Sequence, residues 1–363
     1  MKRTFINGMD ISFLDEIEQG GGTFKARFVD ERIDKGTRAS KGETGAMAGE
    51  IKDLLAILKG NGVNSIRLRI WNEPPGGYCN LERTLVMAKR IKEAGLGFLL
   101  DFHYSDKWAD PQNQWKAAAW EALDFPELQT AVYEYTQQVL TALKEQGTLP
   151  DMVQIGNEIT PGMLWPEGKV DGDSDTQEQW EQLVALVQAG ISGAKSVESA
   201  ISIMIHIDRG GDNPASRKFY DRFEELGVQY DVIGLSFYPW WHGTLQDLEH
   251  NLNDLAVRYG KEIIVVETAY PWTLSPPEGF PIIVSEESQL HAGYQATVEG
   301  QAAYLRDFTK VIQAAPGGKG IGFYYWEPAW IPSQKEWSVG HTNNWSNLTL
   351  FDYEGRRLDS LRF

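Results

Sequence analysis

Hydrophobic and polar positions along the chain fall into a two-part repeat: a short apolar or alternating run of strand length, then a longer stretch with helical spacing. Strands are predicted at 4–14 (TFINGMDISFL), 65–71 (SIRLRIW), 97–104 (GFLLDFHY), 152–158 (MVQIGNE), 201–208 (ISIMIHID), 231–239 (DVIGLSFYP), 262–270 (EIIVVETAY) and 321–328 (IGFYYWEP). Helices are predicted at 43–59, 81–92, 126–147, 177–198, 214–226, 245–259 and 289–315. Stop signals such as Gly60-Asn61-Gly62, Gly95, Gly147, Gly227 and Pro316-Gly317-Gly318 separate them. Strand alternating with helix calls for a parallel sheet, and eight such units call for closure into a (β/α)8 barrel. No break in composition argues for a second domain, so we expect residues 1–363 to form a single barrel domain with long aromatic βα loops.

Barrels of this kind place their chemistry at the carboxyl-terminal ends of the strands. Here those ends read Asp10, Arg69, His103, Glu158, Asp208, Tyr238, Glu267 and Trp326. A purely structural barrel has no need to gather so many polar and aromatic groups at one end. Two of these ends share a form: MVQIGNEITPG and EIIVVETAYPW each run from apolar strand into a glutamate and then into a loop with proline. An idle carboxylate is expensive where a buried strand meets a loop. In the second strand Arg67 and Arg69 alternate with Ile66, Leu68 and Ile70, so both guanidinium groups share one side, which we expect to face the barrel interior. Downstream of His103 the loop SDKWADPQNQWKAAAW carries Trp108, Trp115 and Trp120. These either form a platform for a ligand or plug the end of the barrel.

Composition narrows the partner. The net charge is −17, from 34 basic and 51 acidic residues, and such a surface repels phosphate backbones and anionic lipid. Nucleic acid and membranes are therefore excluded as partners, while the 13 Trp and 14 Tyr suit stacking on neutral sugar rings. Cys79 is the sole cysteine, which rules out an internal disulfide and a cysteine-based metal cluster. No apolar run approaches the roughly 20 residues of a membrane span. The stretch MKRTFINGMDISF reaches Asn7, Gly8 and Asp10 before any apolar core of an export signal forms, so the expected location is cytoplasmic, or extracellular if a signal has been removed.

Two carboxylates across a barrel mouth suit glycoside hydrolysis, in which one is protonated and assists the leaving oxygen while the other is ionised. Arginines beside one of them, with Tyr238 donating to it, would hold it ionised; spacing alone does not say which. The rival is a metal-dependent barrel hydrolase using His103, His206 and His242 with Asp101 and Asp208, but these histidines lie on different strands rather than at ligand spacing. No nucleophile elbow and no glycine-rich phosphate loop occurs in the sequence.

The motifs NGMDIS, RLRIWNEP, DFHYSDKWADPQNQ, VQIGNEITPGMLWPEG, SFYPWWHGTL, VVETAYPWT and FYYWEPAWIP, followed by WSNLTLFD, occur in this order from about residue 5 to the carboxyl terminus. In this the chain resembles the endo-β-1,4-galactanases of glycoside hydrolase family 53. The resemblance implies a retaining enzyme that cuts internal β-1,4-galactosidic bonds of type I arabinogalactan, with Glu158 as acid/base and Glu267 as nucleophile. It also implies that Asn157 holds the sugar 2-hydroxyl, that Arg67, His103 and Tyr238 orient the catalytic carboxylates, and that Trp326 lies under the sugar ring. Arg69, Asp106, Trp108 and His242 fall in the matched motifs and are taken as further substrate-binding residues. No cofactor is implied. Many bacterial members carry a calcium loop after the seventh strand, but here that loop reads TLSPPEGFPIIVSEES, with proline and apolar residues where oxygen ligands are needed, so no metal is expected. The expected partner is a neutral β-galactan polysaccharide or its oligosaccharides, and the expected state a monomer. Another retaining β-glycanase of the same clan, a mannanase or endoglucanase, is the alternative within this chemistry; a catalytically silent carbohydrate-binding barrel is the alternative outside it.

Overall fold

A computed structural model describes residues 4–26 and 51–363. Eight parallel strands close on themselves: β1 (Ile6–Asp10), β2 (Ser65–Ile70), β3 (Gly97–Phe102), β4 (Met152–Ile155), β5 (Ser202–Ile207), β6 (Val232–Ser236), β7 (Glu262–Glu267) and β8 (Gly320–Trp326). Each pairs with its neighbour in sequence, and β8 returns to β1 with Trp326 opposite Asp10. On its other side β1 pairs with β2, where Asp10 lies opposite Arg67.

Helices α1 (Leu54–Gly60), α2 (Leu81–Glu93), α3 (Phe125–Glu145), α4 (Gln177–Val197), α5 (Asn213–Glu225), α6 (Leu245–Tyr259) and α7 (Val298–Gln313) connect the strands in turn. Their starts are written in the sequence. Asp124 accepts from Glu127 N–H while the Glu127 carboxylate accepts from Asp124 N–H, a reciprocal cap on α3. Thr244 and Asp247 cap α6 in the same manner. Along α3 the buried residues Leu128, Val132, Thr136, Val139, Leu140 and Leu143 follow helical spacing and form the face laid on the barrel. Helix α4 packs close to α3 because it carries glycine where they meet: a Cβ at Gly193 would stand 2.5 Å from Tyr133 O.

Period two along the strands divides the interior into layers. The lower layer is apolar, a cluster of Leu99, Met152, Met204, Val232, Ile264, Val266, Ile321 and Tyr324. One pleat higher on β2 to β5 stand Arg67, Asp101, Gln154 and His206, all fully or almost fully buried. Both arginines of β2 do face inward, at 1% and 3% exposure. Gly8 on β1 makes room for Tyr324, since a Cβ there would lie 2.3 Å from the ring.

Three predicted elements shift. The first strand ends at Asp10 rather than continuing to residue 14, because its carboxylate accepts from Ser12 N–H and Ser12 Oγ–H and turns the chain. The helix predicted over 43–59 begins, among described residues, at Leu54, capped by Asp53, while Ile51–Lys52 pairs antiparallel with Phe24–Lys25; positions 43–50 lie outside the described residues. The helix predicted from residue 289 begins at Val298, where Thr297 accepts from Gly300 N–H. The preceding segment packs instead against Tyr270, whose hydroxyl donates to Tyr294 O.

Candidate active site

Above the polar layer the strand ends open into a cavity of about 570 Å³. Its floor is built around Arg67. Nη1 donates to Asp10 Oδ2 at 2.8 Å and to Glu267 Oε1 at 2.9 Å, and Nη2 donates to Asp101 Oδ2 and Asn157 Oδ1, both at 2.8 Å. Gln154 Oε1 accepts from Nε at 3.3 Å. Burial alone works against this charge, but Asp101, Glu267 and Asp10 outweigh it and keep the guanidinium ionised.

Glu267 ends β7 with both oxygens engaged, Oε1 by Arg67 and Oε2 by the Tyr238 hydroxyl at 3.0 Å. Burial pushes its carboxyl up to about 7, with Arg67 pulling the other way. Tyr238 is itself held protonated, by burial first and then by the charges of Glu267 and Glu158, so it remains a donor.

Glu158 follows β4 through a turn in which Gly156 has φ 79°. Glu158 itself has φ 49°, a left-handed conformation that costs a residue with a Cβ and that persists where surrounding contacts impose it. Those contacts are Gln114 Nε2, donating to Asn157 O at 2.7 Å and Glu158 O at 3.3 Å, and Ile159 N–H donating to His206 O. Ser236 Oγ–H donates to Glu158 Oε1 at 2.5 Å. No arginine or lysine touches its carboxyl among the described residues. Burial, then the charges of Glu267 and Asp208, raise it well above the usual carboxylate range, and Ser236 offsets only part.

The cavity has two unlike flanks. On one, Trp326 stands edge-on to Trp345 with ring centres 4.7 Å apart and 5.5 Å from Trp108, and Arg69 lies 5.0 Å from the Trp108 ring centre while pairing with Glu327. On the other are Asp208, Arg209, His242 and the exposed Trp241. His242 Nδ1 accepts from Tyr238 N–H, and burial, then Arg209, lowers its imidazole to about 4.

Of the residues singled out in the sequence, Arg67, Arg69, His103, Trp108, Asn157, Glu158, Tyr238, His242, Glu267 and Trp326 all line this one cavity. His103 acts at one remove: it accepts at Nδ1 from Ala109 N–H and Trp71 Nε1–H, and its Nε2 meets Asp101, which meets Arg67. Asp106 is not in the cavity; its oxygens accept from Glu73 N–H in the loop after β2 and from Ala118 N–H in its own loop after β3, and so tie the two loops together. Trp120 is neither platform nor plug but packs on Tyr104 and on Tyr135 of α3, whereas Trp115 is half exposed against Trp165. His206 is no metal ligand candidate, being enclosed by Gln154, Asn157 and Ser236, and no cluster of metal-ligating side chains occurs among the described residues. Sequence reasoning missed Gln154, Ser236 and Glu327. Period two held a signal for two of them, since Gln154 is two residues before Gly156 and Ser236 two before Tyr238, each on the inward face of its strand.

Compared with known proteins, residues 6–363 match the model of glycosyl hydrolase family 53. The chain belongs to this family. Its relatives include an "Uncharacterized protein in bgaB 5′ region" of Niallia circulans, 61% identical over 99% of this chain and 93% of that protein. The endo-β-1,4-galactanase of Bacillus subtilis (strain 168) is 34% identical over 92% of this chain and 72% of its own length. Among solved structures, the GH53 catalytic domain of Ignisphaera aggregans is 41% identical, covering 98% of this chain and 94% of its own, with a TM-score of 0.86. A fungal β-1,4-galactanase superposes at 0.78 with 32% identity, over 98% and 97%. The closed barrel is thus the fold of family 53, and a glycoside hydrolase is what the cavity has to serve.

Proposed function

We propose that the chain is an endo-β-1,4-galactanase that cleaves with retention of configuration, Glu267 acting as nucleophile and Glu158 as acid/base. The observation that carries this reading is the asymmetry of the two carboxyl groups in one cavity: Glu267 is gripped by Arg67 and Tyr238, Glu158 by Ser236 alone. When a proton is shared between them it resides on Glu158, where no cation competes for the charge. Glu267 then attacks the anomeric carbon as Glu158 delivers its proton to the departing oxygen. In the second step Glu158 takes a proton from water, which attacks the anomeric carbon from the face the leaving group vacated and breaks the bond to Glu267 on the opposite face. The galactan specificity rests on the galactanases among the relatives, and the neutral substrate suits the acidic surface. Trp326 and Trp108 offer apolar faces to a sugar, and Asn157 stands beside the acid to meet its 2-hydroxyl.

Azide tests the assignment. Glu158→Ala should still release an activated aryl leaving group and, with azide, yield a β-galactosyl azide, whereas Glu267→Ala should yield only the α-azide. Reversed products would swap the two roles. In a complex with substrate, carboxyl groups about 5–5.5 Å apart accord with double displacement, and about 9 Å would point to inversion. Release of oligosaccharides from galactan and not from mannan or cellulose tests the substrate.

A further inference from the structure

The two oxygens of Glu158 have unequal partners, and the inequality traces back through the barrel floor. Gln154 is fixed in one orientation, because its Oε1 faces Arg67 Nε and Nη2, so its amide nitrogen points to Asp101 Oδ1 at 2.6 Å and shares its second hydrogen among Asn157 Oδ1 at 3.0 Å, His206 Nδ1 at 3.0 Å and Gly156 O at 3.1 Å. Glu158 N–H also donates to His206 Nδ1, at 3.4 Å. Asn157 Oδ1 lies 3.0 Å from the same ring nitrogen but already accepts from Arg67 Nη2 at 2.8 Å. Glu158 N–H, a main-chain group that can only donate, thus faces Nδ1 and leaves the ring hydrogen on Nε2, directed at Ser236 Oγ 2.9 Å away. Having accepted from His206, the Ser236 hydroxyl has its own hydrogen free for Glu158 Oε1.

We propose that His206 and Ser236 are positioning residues that decide which oxygen of Glu158 carries the catalytic proton. Oε1 receives the Ser236 hydrogen, and the acid proton is confined to Oε2. This deepens, and rests on, the reading of Glu158 as acid/base. The Oε2 proton passes to the glycosidic oxygen as that oxygen leaves the anomeric carbon with the bonding pair, while the Glu267 carboxylate forms the new bond to that carbon. A neutral His206 suits the arrangement: burial, then the charges of Arg67, His103 and His242, keeps the imidazole well below its usual range. The other ionisable groups acting on Glu158 are Glu267 on β7, Asp208 after β5 with Arg209 beside it, Asp110 in the loop after β3, and Tyr238 after β6. None of these donates to Oε1.

The tautomer is open to measurement on the wild-type protein. Nitrogen-15 spectra of histidine-labelled protein should show His206 neutral with its hydrogen on Nε2 across the active pH range; a hydrogen on Nδ1 would overturn the proposal. Ser236→Ala removes a donor that favours the ionised form, so the alkaline limb of kcat/KM should move upward by about one pH unit. The same variant should lose roughly ten-fold more rate on galactan than on an activated aryl galactoside, since only the former needs a correctly placed proton. An alkaline limb that stays in place, or equal losses on both substrates, would reduce Ser236 to a packing role. Glu158→Ala with azide is run alongside. If it fails to give the β-azide, the acid/base assignment is at fault; if it succeeds while Ser236→Ala behaves like wild type, the positioning alone is refuted.

Discussion

Glu158 and Glu267 open into the same cavity at 9% and 6% exposure, yet their neighbours are opposite in kind. Glu267 sits on a cation that three carboxylates share, with a phenol donating to its second oxygen. Glu158 has one hydroxyl and, at longer range, the negative charges of Glu267 and Asp208. Burial raises both carboxyl groups; the contacts within hydrogen-bond reach decide which of them loses its proton first. The difference teaches that in this barrel the polar floor, rather than depth of burial, separates nucleophile from acid.

The most damaging way to break the contrast is to remove its cation. Arg67→Met leaves Asp10, Asp101 and Glu267 buried without their partner, and breaking such a set costs about 3–5 kcal/mol. We expect that loss in chemical denaturation at pH 8, with a smaller one at pH 5, where protonation relieves the stranded carboxylates. Activity on galactan should be essentially abolished. Equal destabilisation at both pH values would mean that the arginine contributes packing rather than charge.

Tyr238→Phe sharpens the contrast with less damage. It removes one neutral donor to Glu267 Oε2, a bond to a charged group worth about 1.5–3 kcal/mol. Turnover should fall roughly ten- to hundred-fold, and the acidic limb of the pH profile should move upward because the ionised nucleophile has lost support. The melting temperature should fall by about 2–4 °C, less than for the loss of Arg67. A displaced alkaline limb with the acidic limb unchanged would place Tyr238 with Glu158 instead.

Much of this was legible in the sequence, and the reasons are physical. The eight strands showed because a strand buried on both faces reads as an apolar run, and the two glutamates because a carboxylate at the end of such a run is out of place. Arg67 and Arg69 were placed inward by period two alone. What did not show was pairing across the barrel. Nothing near Arg67 in the chain says that Asp10, Gln154 and Glu267 converge on it, since each comes from a different strand and only closure brings them together. Glu327 was hidden for another reason, which also hid Ser236 wherever period two is not followed back from Tyr238. A serine in a strand and a glutamate after a tryptophan are common on surfaces, and both are fully buried here. The loop tryptophans divided between cavity and core according to loop geometry that spacing does not encode: Trp108 entered the cavity, and Trp120 packed on Tyr135 of α3.

The smallest expected effect runs toward stability. The folded state holds the Glu158 carboxyl well above its usual range, chiefly through burial and the nearby charge of Glu267. A carboxyl raised in this way contributes fully only below the ordinary value of about 4.5, where folded and unfolded chains are both protonated. As pH rises past that value the unfolded chain gives up its proton freely while the folded chain retains it, so stability declines with pH. Glu158→Gln keeps the shape and an oxygen for the Ser236 hydroxyl to donate to, and removes the titration. The variant should match wild type near pH 4 and melt about 1–2 °C higher at pH 8, a gain of about 1 kcal/mol. Glu267→Gln should not share this gain, because it costs Arg67 a charged partner. Melting curves of both variants at the two pH values decide the matter: parallel behaviour of the two glutamates would dissolve the contrast, and a stabilised Glu267→Gln would reverse it.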